Sequence, residues 1–281
     1  MRSRFRARPQ RKNEFWTYYK NIIRMVAVHS NAEMARPIFL AMKKNLFDCL
    51  AIALDNLSAL SALSGLVKAT APSIGVFKIG LEQFTRFGPP VLESIRAADR
   101  TIFLDLKFHD IPNTVAKAVA SACGLGVDFL TVHTQGGVAM MRAAKDAADE
   151  AREKRGRAPK IIGVTLLTSI DALSLRDELS VASEPVDHVR HLAALAARAG
   201  LDGIVCSAAD LPSLKPSLPD NFEIITPGIR PVGAAANDQK RIATPAQAIR
   251  NGATLLVIGR PITGAADPGK AAEEILRGIS E

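Results

Sequence analysis

Eight short apolar segments alternate with helix-forming segments after residue 46, and this alternation limits the folds open to the chain. Each segment has five to eight residues, is rich in β-branched or aromatic side chains and leads into a polar residue or glycine. These properties are typical of buried β-strands. The segments are 47–54, 75–80, 101–106, 127–133, 161–167, 202–206, 222–226 and 254–259.

The sequences between these segments favour helices. Alanine and leucine dominate 192–199, for example, and both residues have high helix propensity. Pro212 and Pro216 argue against a helix in the connection 208–216. Helices are predicted at 57–70, 89–98, 112–124, 137–155, 185–199, 244–251 and 268–279.

Strands that alternate with helices predict a parallel sheet, because each helix carries the chain back to the start of the next strand. Eight such units within about 235 residues match a single-domain α/β fold, the closed (β/α)8 or TIM barrel. An open, doubly wound sheet is the structural alternative. No GxGxxG motif follows the first strand, which weakens a dinucleotide-binding version of that alternative.

Residues 1–45 differ from the rest of the chain in charge. They hold eleven lysines and arginines and two acids, a net charge of +9, whereas the whole chain carries +8 and residues 46–281 therefore carry −1. We expect a basic N-terminal extension, 1–45, without a catalytic role, followed by a catalytic domain, 46–281. A targeting peptide, or an upstream start codon with the true start at Met34 or Met42, is the alternative.

The location of the charge also bears on binding partners. A nucleic-acid-binding domain carries its basic surface on the folded part, whereas residues 46–281 are nearly neutral. We expect no nucleic-acid binding, and the alternative from a different class is a nucleic-acid-binding protein that uses residues 1–45. No apolar run approaches the roughly 18 residues needed to cross a bilayer, so we expect a cytoplasmic protein without membrane contact.

Polar residues stand at the ends of the predicted strands. In a (β/α)8 barrel the carboxyl ends of the strands meet at one face, where active sites lie. Charges that converge there from several strands favour a functional site, since an unpaired buried charge is costly. The residues are Asp55, Lys78, Asp105, Lys107, His133, Thr168, Ser207 and Arg260.

The segment 103–115, FLDLKFHDIPNTV, carries three charges at close spacing. Side-chain alternation along a strand places Asp105 and Lys107 on one face. Asp110 falls in the loop before a helix with Pro112 in its first turn. A structural salt bridge is the alternative, but the position at the end of the third strand favours a catalytic site.

This segment resembles a known family. Its DLKFHDIPNT stretch is similar to the signature of bacterial-type orotidine 5′-phosphate decarboxylases, and further matches follow in order over residues 46–281. Residues 1–45 have no counterpart in the family pattern. The further matches are ALD at 53–55, FKIG at 77–80, TVHTQGG at 131–137, VTLLTS at 164–169, TPGIRP at 226–231, Asp238-Gln239 and IGRPIT at 258–263.

The resemblance implies a reaction: decarboxylation of orotidine 5′-phosphate to UMP in de novo pyrimidine biosynthesis, by a carbon–carbon lyase that needs no cofactor. By the same resemblance, Lys107 donates a proton to the pyrimidine carbon that loses its carboxylate, and Asp105 lies against that carboxylate. Asp110 completes an Asp/Lys/Asp network. Asp110 and Thr114 are expected to reach into the neighbouring subunit's site in a homodimer.

The resemblance also implies which residues bind the nucleotide. Asp55 and Lys78 are expected at the ribose and Thr168 at the pyrimidine. Arginines and backbone N–H groups suit a phosphate dianion, and glycine lets the backbone approach it closely. The expected substrate-binding set is Asp55, Lys78, Ile111, Thr114, Thr168, Arg230, Gln239, Gly259 and Arg260.

The histidines do not predict a metal site. His188 and His191 have no partner ligands nearby in sequence, and we expect His133 to be packed or hydrogen-bonded. The nearest rival function is a metal-dependent 3-keto-sugar-phosphate decarboxylase or synthase, a related group that also resembles the D-x-K-x-x-D pattern. Such an enzyme needs an acidic metal site, and the basic Lys78 on the second strand weighs against one.

Overall fold

Eight parallel strands form one closed barrel in the computed structural model, which describes residues 46–214, 217–230 and 243–280. This confirms the predicted (β/α)8 fold and all eight predicted strand positions. The strands are β1 (Leu50–Ala53), β2 (Val76–Gly80), β3 (Thr101–Phe108), β4 (Phe129–His133), β5 (Lys160–Val164), β6 (Gly203–Val205), β7 (Glu223–Thr226) and β8 (Leu255–Ile258).

The strands pair in chain order, and the last pairs with the first. Ala51 of β1 lies opposite Val76 of β2 on one side and Val257 of β8 on the other. Because this pairing closes the ring, none of these eight described strands has an unpaired edge. All eight carboxyl ends consequently open at the same mouth of the barrel.

Helices surround the barrel and connect successive strands. Four of the ten described α-helices begin at a proline, whose fixed φ and missing N–H suit the first helical turn. The α-helices are α1 (Leu60–Thr70), α2 (Leu81–Phe87), α3 (Glu93–Ala97), α4 (Pro112–Cys123), α5 (Gly137–Arg155), α6 (Pro185–Arg198), α7 (Leu211–Leu214), α8 (Pro245–Arg250), α9 (Arg260–Thr263) and α10 (Pro268–Ser280). Shorter turns are 3₁₀ at Leu46–Cys49, Pro89–Leu92 and Thr134–Gly136, and a π turn at Ser174–Glu178.

The second connection differs from the prediction. The sequence predicts one helix at 89–98, whereas the structure has α2, a 3₁₀ turn at Pro89–Leu92 and then α3. Gly88, with φ of 62°, ends α2, and the two prolines that follow have no N–H groups to continue it. No helix is expected in the connection 208–216 because of its two prolines, whereas the structure has the single helical turn α7 there.

Strand alternation divides the core into two layers. One face of each strand packs against the helices, and the other fills the barrel. Phe103 and Phe129 meet edge to face inside the barrel, with their ring centroids 5.9 Å apart. The inner layer is Ala51, Ala53, Val76, Phe103, Phe129, Ile162, Ile225, Leu255 and Val257. The described barrel interior is therefore a packed core.

Gly203 offers a test of how closely β6 and β7 pack. An added Cβ at this position would lie 2.3 Å from the carbonyl oxygen of Glu223 and 2.6 Å from the Glu223 Cβ. Gly203→Ala should therefore lower the free energy of unfolding by about 1–3 kcal/mol, measured by urea denaturation.

The matched control for this prediction is Gly65→Ala in α1. An added Cβ there meets no atom within 4 Å, and alanine is the better helix former. This variant should be as stable as the wild type or up to about 1 kcal/mol more stable. Equal stability of Gly203→Ala and Gly65→Ala would contradict the tight contact between β6 and β7.

Candidate active site

A cavity of about 180 Å³ opens at the mouth of the barrel, among the carboxyl ends of the strands. Its walls combine apolar side chains with a few polar groups, the usual character of a small-molecule site. The lining residues are Lys78, Phe103, Asp105, Lys107, Val164, Leu166, Leu167, Thr168, Val205, Cys206, Ile225, Pro227 and Val257. Four of the residues predicted from the sequence, Lys78, Asp105, Lys107 and Thr168, are thus brought together.

Four charged side chains form a row of alternating sign at this mouth. Asp55 lies 3.4 Å from the Lys78 ammonium, which in turn lies 3.7 Å from Asp105 Oδ2. The same Oδ2 atom accepts a 2.7 Å hydrogen bond from Lys107 Nζ. Gly80 leaves room for the row, because an added Cβ would lie 3.1 Å from Lys78 Nζ and 3.2 Å from Asp55 Oδ1.

Asp105 is the centre of this row. Only 8% of the residue is exposed, and burial by itself would raise the pKa of its carboxyl. The positive charges of Lys78 and Lys107, together with hydrogen bonds from Lys107 and Thr131, outweigh burial, so the pKa lies below its ordinary value. The carboxylate therefore stays ionised at neutral pH.

The third strand is irregular at Lys107. Leu104 pairs with Leu130 and Phe108 with Val132, so three residues of β3 stand opposite the single residue Thr131 of β4. Lys107 has φ of 49°, in the left-handed region that a residue with a side chain seldom adopts. The regular alternation of side chains along β3 therefore breaks at Lys107. The bulge places the Lys107 ammonium next to Asp105.

Thr131 is a residue of the site that the sequence analysis did not single out. Its hydroxyl donates a 2.9 Å hydrogen bond to Asp105 Oδ1 and accepts one of 2.8 Å from the backbone N–H of Lys107. Thr131 lies two residues before His133 on β4, so strand alternation places both side chains on the same face. This spacing was the signal that could have identified Thr131. The motif 131–137 includes Thr131, but nothing in the sequence revealed the bulge opposite it.

His133 occupies the end of β4, as the sequence predicts, next to His109. Their ring centroids lie 5.4 Å apart, and His133 Nδ1 is buried without a hydrogen-bond partner among the described residues. Burial, followed by the charges of His109 and Lys107, lowers the pKa of His133. The His133 imidazole is therefore neutral at pH 7, and it does not line the cavity.

Two arginines lie close together beyond the ends of β7 and β8. Arg230 is buried, its Nη1 donates to the Ile229 carbonyl, and its buried Nε has no partner among the described residues. Burial and then the nearby positive charge of Arg260 lower the pKa of Arg230. The two guanidinium groups repel each other, and their combined positive charge favours the binding of an anion.

Gly259 stands beside this arginine pair, immediately after β8. An added Cβ would meet only Ala53 Cβ, at 3.7 Å, which is ordinary contact. The described residues therefore leave the backbone of Gly259 open to a ligand. This end of the last two strands is where (β/α)8 barrels commonly bind phosphate.

Cys206 lies in the cavity wall without an assigned role in the sequence analysis. Complete burial, and to a smaller extent the charge of Asp210, raise the pKa of the thiol far above its ordinary value. The thiol is therefore protonated and unreactive at neutral pH. Cys206 acts as part of the apolar wall.

Three predicted residues lie away from the cavity of their own chain. Asp110, Ile111 and Thr114 are exposed, Ile111 to 66%, and none of them lines the cavity. Asp110 Oδ1 accepts a 2.7 Å hydrogen bond from the N–H of Ile111 at the start of α4. These positions leave all three residues available to another molecule.

Two predictions fall outside the described residues. Gln239, expected at the phosphate, and the extension 1–45 both remain predictions from the sequence. Within 46–214, 217–230 and 243–280, no cluster of three or more His, Cys, Asp or Glu side chains could hold a metal ion. In the same ranges, no helix has both the length and the apolar character to span a membrane.

Comparison with known proteins shows the family of the chain. The family model described as "Orotidine 5'-phosphate decarboxylase / HUMPS family" matches residues 48–275. The orotidine 5′-phosphate decarboxylase of Moorella thermoacetica is 46% identical over 229 residues, covering 81% of this chain and 90% of that protein. The orotidine 5′-phosphate decarboxylase of Nitrosococcus oceani is 48% identical over 229 residues, covering 82% and 96%.

A solved structure supports the same assignment. The crystal structure of orotidine 5′-phosphate decarboxylase from Lactobacillus acidophilus superposes with a TM-score of 0.73 at 35% identity, covering 83% of this chain and all of that one. Because the family match spans most of the sequence and the described barrel carries the charged row at its mouth, the chain belongs to the orotidine 5′-phosphate decarboxylase / HUMPS family.

Proposed function

We propose that this chain removes carbon dioxide from orotidine 5′-phosphate and forms UMP, as a carbon–carbon lyase of pyrimidine biosynthesis. The observation that carries the proposal is the pairing of Lys107 Nζ with the buried carboxylate of Asp105, at 2.7 Å, in the wall of the cavity. The relatives named orotidine 5′-phosphate decarboxylase, with nearly half of their residues identical, support it.

The chemistry requires an ammonium group beside one carbon atom. Loss of carbon dioxide breaks the bond between the ring carbon and its carboxylate and leaves the electron pair on the ring carbon. Lys107 stabilises that developing negative charge and then donates its proton to the carbon. The resulting neutral amine regains a proton from solvent. Asp105, which lies against the departing carboxylate, keeps the ammonium in position.

The remaining substrate-binding residues supply binding energy for this step. Enzymes lower barriers by as much as about 23 kcal/mol, far more than a single proton donor contributes. Arg230, Arg260 and Gly259 bind the 5′-phosphate, with Gln239 as a further expected ligand. Energy from this remote group organises the reacting end of the nucleotide.

The other end of the nucleotide meets the first and second strands. Asp55 and Lys78 bind the ribose hydroxyls, and Thr168 contacts the pyrimidine from the opposite wall of the cavity. The Lys78 ammonium, between Asp55 and Asp105, is itself a positive charge where a metal-dependent relative would need acidic ligands. This favours decarboxylation without a metal over the 3-keto-sugar-phosphate chemistry of the rival.

We propose further that the protein is a cytoplasmic homodimer whose two chains share their active sites. Asp110, Ile111 and Thr114 are exposed, and Asp110 and Thr114 are proposed to reach the nucleotide bound by the other chain. The exposure of the apolar Ile111 side chain supports this arrangement, because an interface covers such a residue. Residues 1–45 are proposed to take no part in catalysis.

Lys107→Ala should lower turnover of orotidine 5′-phosphate by roughly 10³-fold or more, because both charge stabilisation and proton donation are lost. The absorbance change of the substrate measures the rate, and circular dichroism checks that the fold survives. The matched control is Lys270→Ala, which removes an exposed lysine from α10 and should keep full activity. Retained turnover in Lys107→Ala would refute the proton-donor role, and wild-type inhibition by EDTA would favour the metal-dependent rival.

Arg260→Ala should weaken binding of UMP roughly 10- to 100-fold, because a charged hydrogen-bond donor to the phosphate is removed. Isothermal titration with UMP measures the affinity. Arg250→Ala is the control, since it removes an exposed arginine at the end of α8 and should bind UMP as the wild type does. Equal affinities of the two variants would contradict phosphate binding by Arg260.

Mixed dimers test the sharing of sites. Lys107→Ala and Asp110→Ala homodimers should each be inactive, since every site lacks one catalytic group. When the two are refolded together, each mixed dimer should contain one intact site, which restores about a quarter of the wild-type activity for random pairing. Absence of recovery, with mixed dimers verified by mass spectrometry, would place Asp110 in the site of its own chain.

A further inference from the structure

The bulge at Lys107 removes backbone groups of β3 from the hydrogen-bond pattern that a regular strand pair would form. Leu104 and Phe108 pair with β4 residues two apart, so Asp105, Leu106 and Lys107 stand opposite Thr131 alone. The N–H of Lys107 bonds to the Thr131 hydroxyl at 2.8 Å, where a ladder would use a carbonyl oxygen. A side chain thus replaces the backbone at the point where β3 leaves its regular path.

The Thr131 hydroxyl both donates and accepts a hydrogen bond, and its two partners are Asp105 and Lys107. It accepts from Lys107 N and donates to Asp105 Oδ1, at 2.9 Å. Asp105 Oδ2 is the atom that holds Lys107 Nζ, so Thr131 fixes the backbone of the lysine and the carboxylate that orients its ammonium. The three contacts form one closed circuit between β3 and β4.

Thr131 also lies out of reach of a ligand. The residue is completely buried and does not line the cavity. Along β4 it follows Phe129 on the inner face of the barrel, where the neighbouring side chains are apolar. A hydroxyl in such surroundings is costly unless it is bonded, which its two contacts achieve.

We propose that Thr131 is a positioning residue for decarboxylation, which holds Lys107 in its left-handed conformation and Asp105 in the orientation that aims the ammonium at the reacting carbon. This inference rests on the proposed function and on the geometry of the bulge. The left-handed conformation of a residue with a side chain is unfavourable and persists only when its surroundings enforce it. The bond from Lys107 N to the Thr131 hydroxyl is that enforcement.

Thr131→Val keeps the shape of the side chain and removes the hydroxyl. It should lower kcat about 10- to 100-fold, because a small displacement of a reacting group has a large effect on rate. KM should stay within about threefold, since Thr131 does not touch the cavity. Thr131→Ser keeps the hydroxyl and should retain kcat within about threefold of the wild type.

If Thr131→Val does not fold, a second pair of variants tests the role of the hydroxyl. Thr131→Ser and Thr131→Ala both lack the methyl group and differ only in the hydroxyl. The alanine variant should show the fall in kcat and the serine variant should not. Equal kcat values for serine and alanine, or for threonine and valine, would overturn the inference.

Thr134→Val is the matched control for loss of a buried hydroxyl. Thr134 is as completely buried as Thr131, but its hydroxyl donates only to the Val164 carbonyl, at 2.8 Å. Its kcat should equal that of the wild type. A fall as large as in Thr131→Val would mean that removing any buried hydroxyl near the mouth slows the enzyme, which also contradicts the inference.

Hydrogen exchange at the Lys107 amide gives a readout that does not depend on activity. The amide should exchange faster in Thr131→Val and Thr131→Ala than in the wild type, Thr131→Ser and Thr134→Val, since only the first two remove its acceptor. A wild type that does not decarboxylate orotidine 5′-phosphate would refute the proposed function, whereas unchanged exchange in Thr131→Val would refute the role of Thr131.

Discussion

The backbone pairing of β8 with β1 is the constraint on which the site depends. Without it, the sheet would be an open surface with two unpaired edges, and the residues after the first and last strands would lie at opposite sides of the molecule. Closure brings Asp55, after β1, and Arg260, after β8, to the same mouth. Residues from the first and the last strand can then contact one small molecule together.

Burial of charge at this mouth is balanced by alternation of sign. A carboxylate as enclosed as Asp105 would be destabilising alone, but Lys78 and Lys107 flank it and Thr131 satisfies its other oxygen. The same arrangement keeps an ammonium group close to the cavity. The arginine pair beyond β7 and β8 is different, because two like charges lie close together there and lower the pKa of Arg230. The described mouth therefore combines one region in which opposite charges neutralise each other with one in which positive charges lie side by side.

The fold could be predicted from the sequence because the strands differ so clearly from their connections. Runs such as 101–106 are apolar and β-branched or aromatic, and eight of them in about 235 residues match the period of a (β/α)8 barrel. The second connection was less predictable. Both α2 and the turn after it are short, and Gly88 with two prolines divides what sequence propensity alone treats as one helix.

The candidate residues could be selected from the sequence, since Asp105, Lys107 and Arg260 are recognisable from their positions at the ends of predicted strands and from a family signature. How Lys107 meets Asp105 depends on long-range strand pairing, which the sequence does not reveal. Strand periodicity describes a regular ladder, whereas the bulge arises from pairing between β3 and β4, which lie more than twenty residues apart in sequence. Thr131 gained its position through that long-range pairing, and no local pattern encodes a contact of this kind.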